Sequence, residues 1–176
     1  GNDVMDGGWG DDRYVIVPGS LDKVMDGQGV DTLDFSKALR GIKVDLNKSW
    51  GQIQKIDSAG NQLRIYGMIE NAVGSEFNDW IYGNCLNNRL EGLGGDDWLV
   101  GSYGDDTLEG GAGTDSLVGG LAGDTYIIDG DAPDVIVESV GGGLDRVFVA
   151  TGVGYTLADQ VENLLLTGAA VLNGTG

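Results

Sequence analysis

From Gly74 to Ile127 the chain reads GSEFNDWIY, GNCLNNRLE, GLGGDDWLV, GSYGDDTLE, GGAGTDSLV, GGLAGDTYI: six blocks of nine residues without an insertion. Each block begins with Gly and carries Asp or Asn at its sixth place: Asp79, Asn88, Asp97, Asp106, Asp115 and Asp124. The eighth places hold Ile81, Leu90, Leu99, Leu108, Leu117 and Tyr126. A short, unbroken period of this kind marks a chain that stacks on itself. The Gly-rich and acidic first part of a block suits a tight turn. The closing x-apolar-x suits a short strand whose middle side chain points inward. Gly supplies positive φ angles and lets backbone carbonyls crowd together. Two blocks complete one flattened coil, so alternate blocks lie on one another and the turns form two columns. One column holds Asp79, Asp97 and Asp115; the other holds Asn88, Asp106 and Asp124. Carboxylates stacked this closely repel each other unless a hard divalent cation lies between them, and calcium accepts many oxygens in irregular geometry.

These blocks resemble the nonapeptide GGxGxDxUx of the RTX (repeats-in-toxin) family of hemolysin-type calcium-binding repeat proteins, and Gly110 to Val118 fits it at every position. The resemblance implies an all-β fold, a calcium-loaded parallel β-roll (a right-handed β-helix or solenoid), here with short irregular strand insertions. It also implies a bacterial protein secreted to the extracellular medium by the type I route. Its implied ligands are the sixth-place residues Asp79, Asn88, Asp97, Asp106, Asp115 and Asp124. With them come the turn carbonyls near Gly92, Gly95, Gly101, Gly104, Gly110, Gly111, Gly113, Gly119 and Gly120. The pattern is departed from at Asn88, which lacks charge, and at Phe77, Leu86 and Ala122, which replace the fourth-place Gly.

Composition agrees and excludes alternatives. Of 176 residues 33 are Gly and only two are Pro, and the net charge is −18. Such a charge opposes nucleic acid and anionic membrane surfaces, and it asks for cationic partners. There is no His, which removes His-based nucleophile systems and His-ligated zinc. Cys85 is alone, so no internal disulfide forms, and without an activating cation nearby in sequence it reads as a surface thiol. No apolar run is long enough to span a membrane. The stretch Asp129 to Asp134 faintly resembles the start of a helix-loop-helix calcium site, but Pro133 and Val140 fall where ligands are needed. Asn47-Lys-Ser49 and Asn173-Gly-Thr175 are glycosylation sequons by pattern alone.

The flanks echo each other: GGWGDDRYVIVPG from Gly7 against GGLAGDTYIIDGD from Gly119, each followed by a second acidic block. Glu70-Asn71 is likewise echoed by Glu162-Asn163. The chain divides into 1–35, a partial calcium-binding repeat segment, and 36–73, an irregular β insertion or cap. Then come 74–127, the six-block roll, and 128–176, a degenerate repeat and cap leading into a further unit. The stretch after Gly168 reads as another series opening, so the chain is expected to be a window on a longer array. Looser carboxylate pairs, Asp3 with Asp22, Asp12 with Asp31, Asp115 with Asp134 and Asp124 with Asp145, extend the columns. The expected load is about four to eight calcium ions. Asp106, between two column neighbours, is expected to matter more than Asp79, which opens its column.

In 36–73, Ile42, Val44 and Leu46 alternate, as do Leu63 and Ile65, predicting short strands joined through Ser58 to Asn61. Trp80 and Trp98 occupy seventh places one coil apart and form an outward apolar stripe with Tyr82, Val100 and Val118. A covering flank is the expected explanation; a docking surface for a cell-surface or polysaccharide partner is the alternative. Functionally, the chain reads as a calcium-binding module of a larger exported protein, folding on calcium after export and serving as a scaffold, not an enzyme. The competing reading is an accessory or catalytic module of a polysaccharide-modifying enzyme, or an adhesin repeat.

Overall fold

One inward side chain per block decides the strands. In the computed structural model, which describes residues 1–129, 132–149 and 159–166, Ile81, Leu90, Leu99, Leu108, Leu117 and Tyr126 are all fully buried. Strand Arg89–Gly94 pairs in parallel with Thr107–Ala112, placing Leu90 opposite Leu108. Trp98–Tyr103 pairs with Ser116–Leu121, placing Leu99 opposite Leu117. Alternate blocks therefore stack, and the molecule is an all-β solenoid of parallel coils.

Two faces enclose the core. The first is an eight-stranded sheet to which each coil gives one strand: Arg13–Val15, Thr32–Asp34, Asn71–Val73, Arg89–Gly94, Thr107–Ala112, Thr125–Ile128, Arg146–Val149 and Asn163–Leu166. The second face is split. A five-stranded sheet runs Lys43–Asp45, Trp80–Tyr82, Trp98–Tyr103, Ser116–Leu121 and Val135–Val137; a four-stranded sheet runs Val4–Trp9, Leu21–Gln28, Gln62–Tyr66 and Ile53–Lys55. Tyr14, Leu33, Ala72, Leu90, Leu108, Tyr126 and Val147 form an inward ladder from the first face, met by Val44, Ile81, Leu99, Leu117 and Ile136 from the second. No helix among the described residues is long and apolar enough to cross a membrane.

Residues 36–73 make a widened coil inside the stack. Asn71–Val73 pairs with Thr32–Asp34 on one side and Arg89–Glu91 on the other. Ile53–Lys55 and Gln62–Tyr66 form the one antiparallel pair among the described strands, as a short turn between neighbouring strands demands. The turn is closed by Ile56 N–H donating to Asn61 O (2.9 Å) and Asn61 N–H to Asp57 Oδ1 (3.0 Å). The far strand joins Leu21–Gln28 in parallel. The near one is stitched to the five-stranded sheet by Lys43 N–H to Ile56 O (2.8 Å) and Asp45 N–H to Gln54 Oε1 (2.9 Å). This hairpin is what divides the second face.

Trp80 and Trp98 of the aromatic stripe are exposed, and Tyr82, Val100 and Val118 beside them are half-buried; the flank expected to cover the stripe does not bury the tryptophans. Trp80 and Trp98 lie 5.5 Å apart at a 37° tilt, each 44% exposed. Lys43 Nζ stands 4.6 Å from the Trp80 ring. On the other face Arg89 bridges Glu91 and Glu109 (2.7 Å each) across adjacent coils, solvated pairs of small energetic weight. Cys85 is exposed. Gly130 and Asp131 of the acidic stretch, and the series from Gly168 with its Asn173 sequon, lie outside the described residues.

Turn geometry explains the glycines and yields a prediction. The second place of successive blocks has positive φ at Leu93 (81°), Ser102 (90°), Gly111 (91°) and Gly120 (122°). A Cβ at Gly111 would overlap the Leu93 carbonyl on the coil beside it. Gly111→Ala is therefore expected to destabilise the calcium-loaded roll by more than about 2 kcal/mol, whereas Ser102→Gly relieves a strained φ and stabilises it by about 1 kcal/mol. Thermal unfolding in excess calcium measures both; a stabilising Gly111→Ala would contradict the turn geometry.

Candidate metal centres

Each sixth-place carboxylate is carried inward by the turn and fixed by the neighbouring coil. The Asp79 N–H donates to Asp97 Oδ1 (2.7 Å), Asp97 N–H to Asp115 Oδ1 (2.8 Å) and Asp115 N–H to Asp134 Oδ1 (3.0 Å). In the other column Asn88 N–H donates to Asp106 Oδ1 (2.7 Å), Asp106 N–H to Asp124 Oδ1 (2.8 Å) and Asp124 N–H to Asp145 Oδ1 (2.7 Å). At the N-terminal end Asp3 N–H meets Asp22 Oδ1 (3.0 Å) and Asp12 N–H meets Asp31 Oδ1 (2.8 Å). Every pair expected from spacing is thus joined across coils.

The second oxygens carry the chemistry. Asp97, Asp106, Asp124 and Asp145 are buried, and their Oδ2 atoms have no hydrogen-bond partner; Asp12 and Asp31 Oδ2 are in the same state. An ionised oxygen buried without a donor is costly. Carbonyls stand beside them: a Cβ at Gly92 would overlap both Asp97 Oδ2 and Gly110 O, and one at Gly101 would overlap Asp106 Oδ2 and approach Gly119 O. The carbonyls of Gly92 and Gly101 lie in the same way over Gly74 and Gly83. Such oxygen-only donor sets fit a hard cation such as calcium. The other turn glycines shape the backbone. Gly95, Gly104, Gly111, Gly113 and Gly120 have positive φ, and the Gly95 and Gly104 N–H groups donate to Ala112 O (2.9 Å) and Leu121 O (3.2 Å).

Asp79 and Asn88 differ from their column neighbours. Asp79 is the first carboxylate of its column, and protein donors take both its oxygens: Ile42 N–H donates to its Oδ1 (2.7 Å), Ser75 Oγ reaches the same oxygen (2.9 Å), and Ser75 N–H takes Oδ2. Asn88 Nδ2 donates to Glu70 O (2.8 Å), and its Oδ1 accepts from Asn84 N–H (2.8 Å). In these first two blocks Ser75 and Asn84 also cap the turn at Phe77 and Leu86, where the fourth-place Gly is missing. Protein hydrogen bonds do there what a cation is suited to do further along.

Sequence reasoning missed two features. Fifth-place residues form an exposed ladder of opposite sense, with Asp96 N–H donating to Asn78 Oδ1 (3.1 Å), Thr114 N–H to Asp96 Oδ1 (3.0 Å) and Gly123 N–H to Asp105 Oδ1 (3.0 Å). Their recurrence in the blocks was the available signal. Asp26 and Glu138 lie outside the sixth-place rhythm, yet each comes within 4.8 Å of two column carboxylates.

Burial also sets the protonation of the metal-free roll. It pushes Asp97 and Asp106 up to about 8 and Asp124 up to about 7; the charges of Asp79 and Asp115 add to the rise at Asp97. Unfolded carboxylates titrate near ~4. Protonation therefore stabilises the metal-free folded form below about 4, and that contribution is lost as pH climbs through about 8. Calcium must displace those protons, so its binding midpoint is expected to fall as pH rises from 5 to 8. Calcium titrations across that range check this; a midpoint independent of pH would contradict it.

The sequence matches the family model of the RTX calcium-binding nonapeptide repeat in four copies, over residues 1–15, 67–84 and 91–126. The unmatched stretches are 16–66, which holds the hairpin, 85–90, which holds Asn88, and 127–176. No curated protein matches the chain.

Proposed function

We propose that the chain, segments of which match the RTX calcium-binding nonapeptide repeat, is a calcium-folded structural module of an exported bacterial protein. In this reading calcium-poor cytosol leaves the chain loose enough for one-step secretion, and the extracellular medium folds it into a scaffold. The observation that carries the reading is the row of buried Oδ2 atoms at Asp97, Asp106, Asp124 and Asp145, each on an oxygen-lined turn column. The bound cations lie between coils, with Asp97, Asp106, Asp115, Asp124, Asp134 and Asp145 as carboxylate ligands and glycine carbonyls completing the shell. Asp3, Asp12, Asp22 and Asp31 extend the columns at the other end. Asp79 and Asn88 anchor the first coil of the array through hydrogen bonds. In this reading the module is a scaffold and not a catalyst, since its buried acids are committed to the columns or, at Asp34, to an ion pair with Arg13. Native mass spectrometry tests this: about four to eight calcium ions per chain are expected, all removed by chelator. Fewer than three bound ions would overturn the stacked-site reading.

A second reading attaches to the exposed Trp80 and Trp98 pair. A groove of about 360 Å³ beside it is lined by Gly41, Lys43, Lys55, Asp57, Asn78 and Trp80, among others. Lys43 over the Trp80 and Tyr82 rings, with Lys55 on the same groove, suits an anionic polysaccharide, which stacks its rings on tryptophan and pairs its carboxylates with ammonium groups.

A further inference from the structure

Two carboxylate clusters differ in kind from the rest of the columns. Asp12, Asp26 and Asp31 converge at one end, and Asp124, Glu138 and Asp145 at the other, with ligand oxygens within 4.8 Å of one another in each. The third acid, Asp26 or Glu138, comes four residues after a column Asp (Asp22 or Asp134), the place that Gly101, Gly110 and Gly119 occupy in the regular array. There only a backbone carbonyl is on offer; here a full carboxylate takes its place.

Both clusters are built with the same parts. Tyr14 and Tyr126 are buried at eighth places, where most blocks have Leu or Ile. The Tyr14 hydroxyl donates to Asp26 Oδ1 (2.8 Å), and the Tyr126 hydroxyl donates to Glu138. In each case the next coil supplies a glutamate, Asp31 N–H donating to Glu70 Oε2 (2.8 Å) and Asp145 N–H to Glu162 Oε2 (2.9 Å). Asp31, Asp124 and Asp145 are fully buried; the Oδ1 of each accepts a backbone N–H from the coil before it, the Oδ2 has no hydrogen-bond partner, and each offers a carboxylate oxygen to its cluster. Three carboxylates this close cannot all stay ionised without a cation among them. Asp26, Asp31, Glu138 and Asp145 all lie outside the segments that match the repeat family.

We propose that these are two three-carboxylate calcium sites, formed where the inter-coil pairs Asp12/Asp31 and Asp124/Asp145 gain a third acid, with Asp26 and Glu138 as side-chain ligands held in place by Tyr14 and Tyr126. This rests on the calcium-binding reading above. Affinity in calcium sites rises with ligand charge, so the two sites fill first, ahead of the regular array.

Calorimetric titration of the full chain with calcium alone tests this. Wild type is expected to show two tight ions, at least tenfold tighter than a larger weak class. Glu138→Gln and Asp26→Asn keep shape and remove charge; each is expected to leave one tight ion and the double variant none, while the weak class persists. Asp105→Asn, the same loss of charge on the exposed ladder, leaves both tight ions. Two tight ions surviving in the double variant overturn the assignment. A single class of equal sites in wild type overturns it too, whether or not the variants fold, and leaves calcium binding itself intact. No calcium binding by wild type overturns both readings.

Discussion

Asp106→Ala is expected to lose at least one bound calcium and to raise the calcium concentration needed for folding by about tenfold or more, while Asp79→Ala keeps the full calcium count. The two residues hold the same place in the nonapeptide, so residue type alone does not separate them. Asp106 is joined to both column neighbours, with Asn88 N–H on its Oδ1 and its own N–H on Asp124, and its Oδ2 has no donor. Both oxygens of Asp79 are already taken by Ile42 and Ser75. Removing the Asp79 carboxylate strands those donors and costs about 1–3 kcal/mol of stability in the loaded form. It does not take away an oxygen that lacks a protein partner. Calcium counting on both variants in saturating calcium separates the effects. An equal loss of ions from both would contradict the division between hydrogen-bonded and cation-bearing turns.

The regular part of the architecture was legible because its determinants are local and repeated. A Gly at the first place and an Asp at the sixth fix the turn, and a single inward Leu fixes the strand. The inter-coil partners of Asp97, Asp106, Asp115 and Asp124 then follow from counting residues. The same counting reached Asp12 with Asp31 and Asp124 with Asp145, although their coils are longer than eighteen residues. What counting did not reach depends on contacts between distant segments. The alternation of Leu63 and Ile65 announces a strand, but not that Gln62–Tyr66 joins Leu21–Gln28 while its hairpin partner splits the face. The saturation of Asp79 depends on Ile42, far away in the chain. Asp26 and Glu138 were hidden because they break the period, and only the fold brings them beside Asp31 and Asp145. The Glu70-Asn71 and Glu162-Asn163 echo was visible as text; its meaning, a glutamate on the coil after Asp31 and after Asp145, emerges only in the fold.

Without calcium the chain is expected to be mostly unfolded at neutral pH, and this is the largest effect. Residues 74–127 carry ten acidic side chains, one Arg and 13 Gly. Glycine loses more conformational freedom on ordering than any other residue. Against that stands one fully buried apolar side chain per block, each contributing about 1.5–3 kcal/mol on burial, while ordering nine residues costs about 1–2 kcal/mol per residue for the backbone alone. The buried sixth-place carboxylates add desolvation and mutual repulsion. Cations between the coils remove the repulsion and supply the missing partners, so binding free energy becomes folding free energy. Extracellular calcium modules work at roughly 10⁻⁴ to 10⁻³ M, a range that separates the outside medium from the cytosol. Far-ultraviolet circular dichroism of the full chain, first in chelator and then in millimolar calcium, tests this most directly. The expected result is a disordered spectrum that converts to a β spectrum on adding calcium; the same β spectrum in both conditions would contradict calcium-coupled folding.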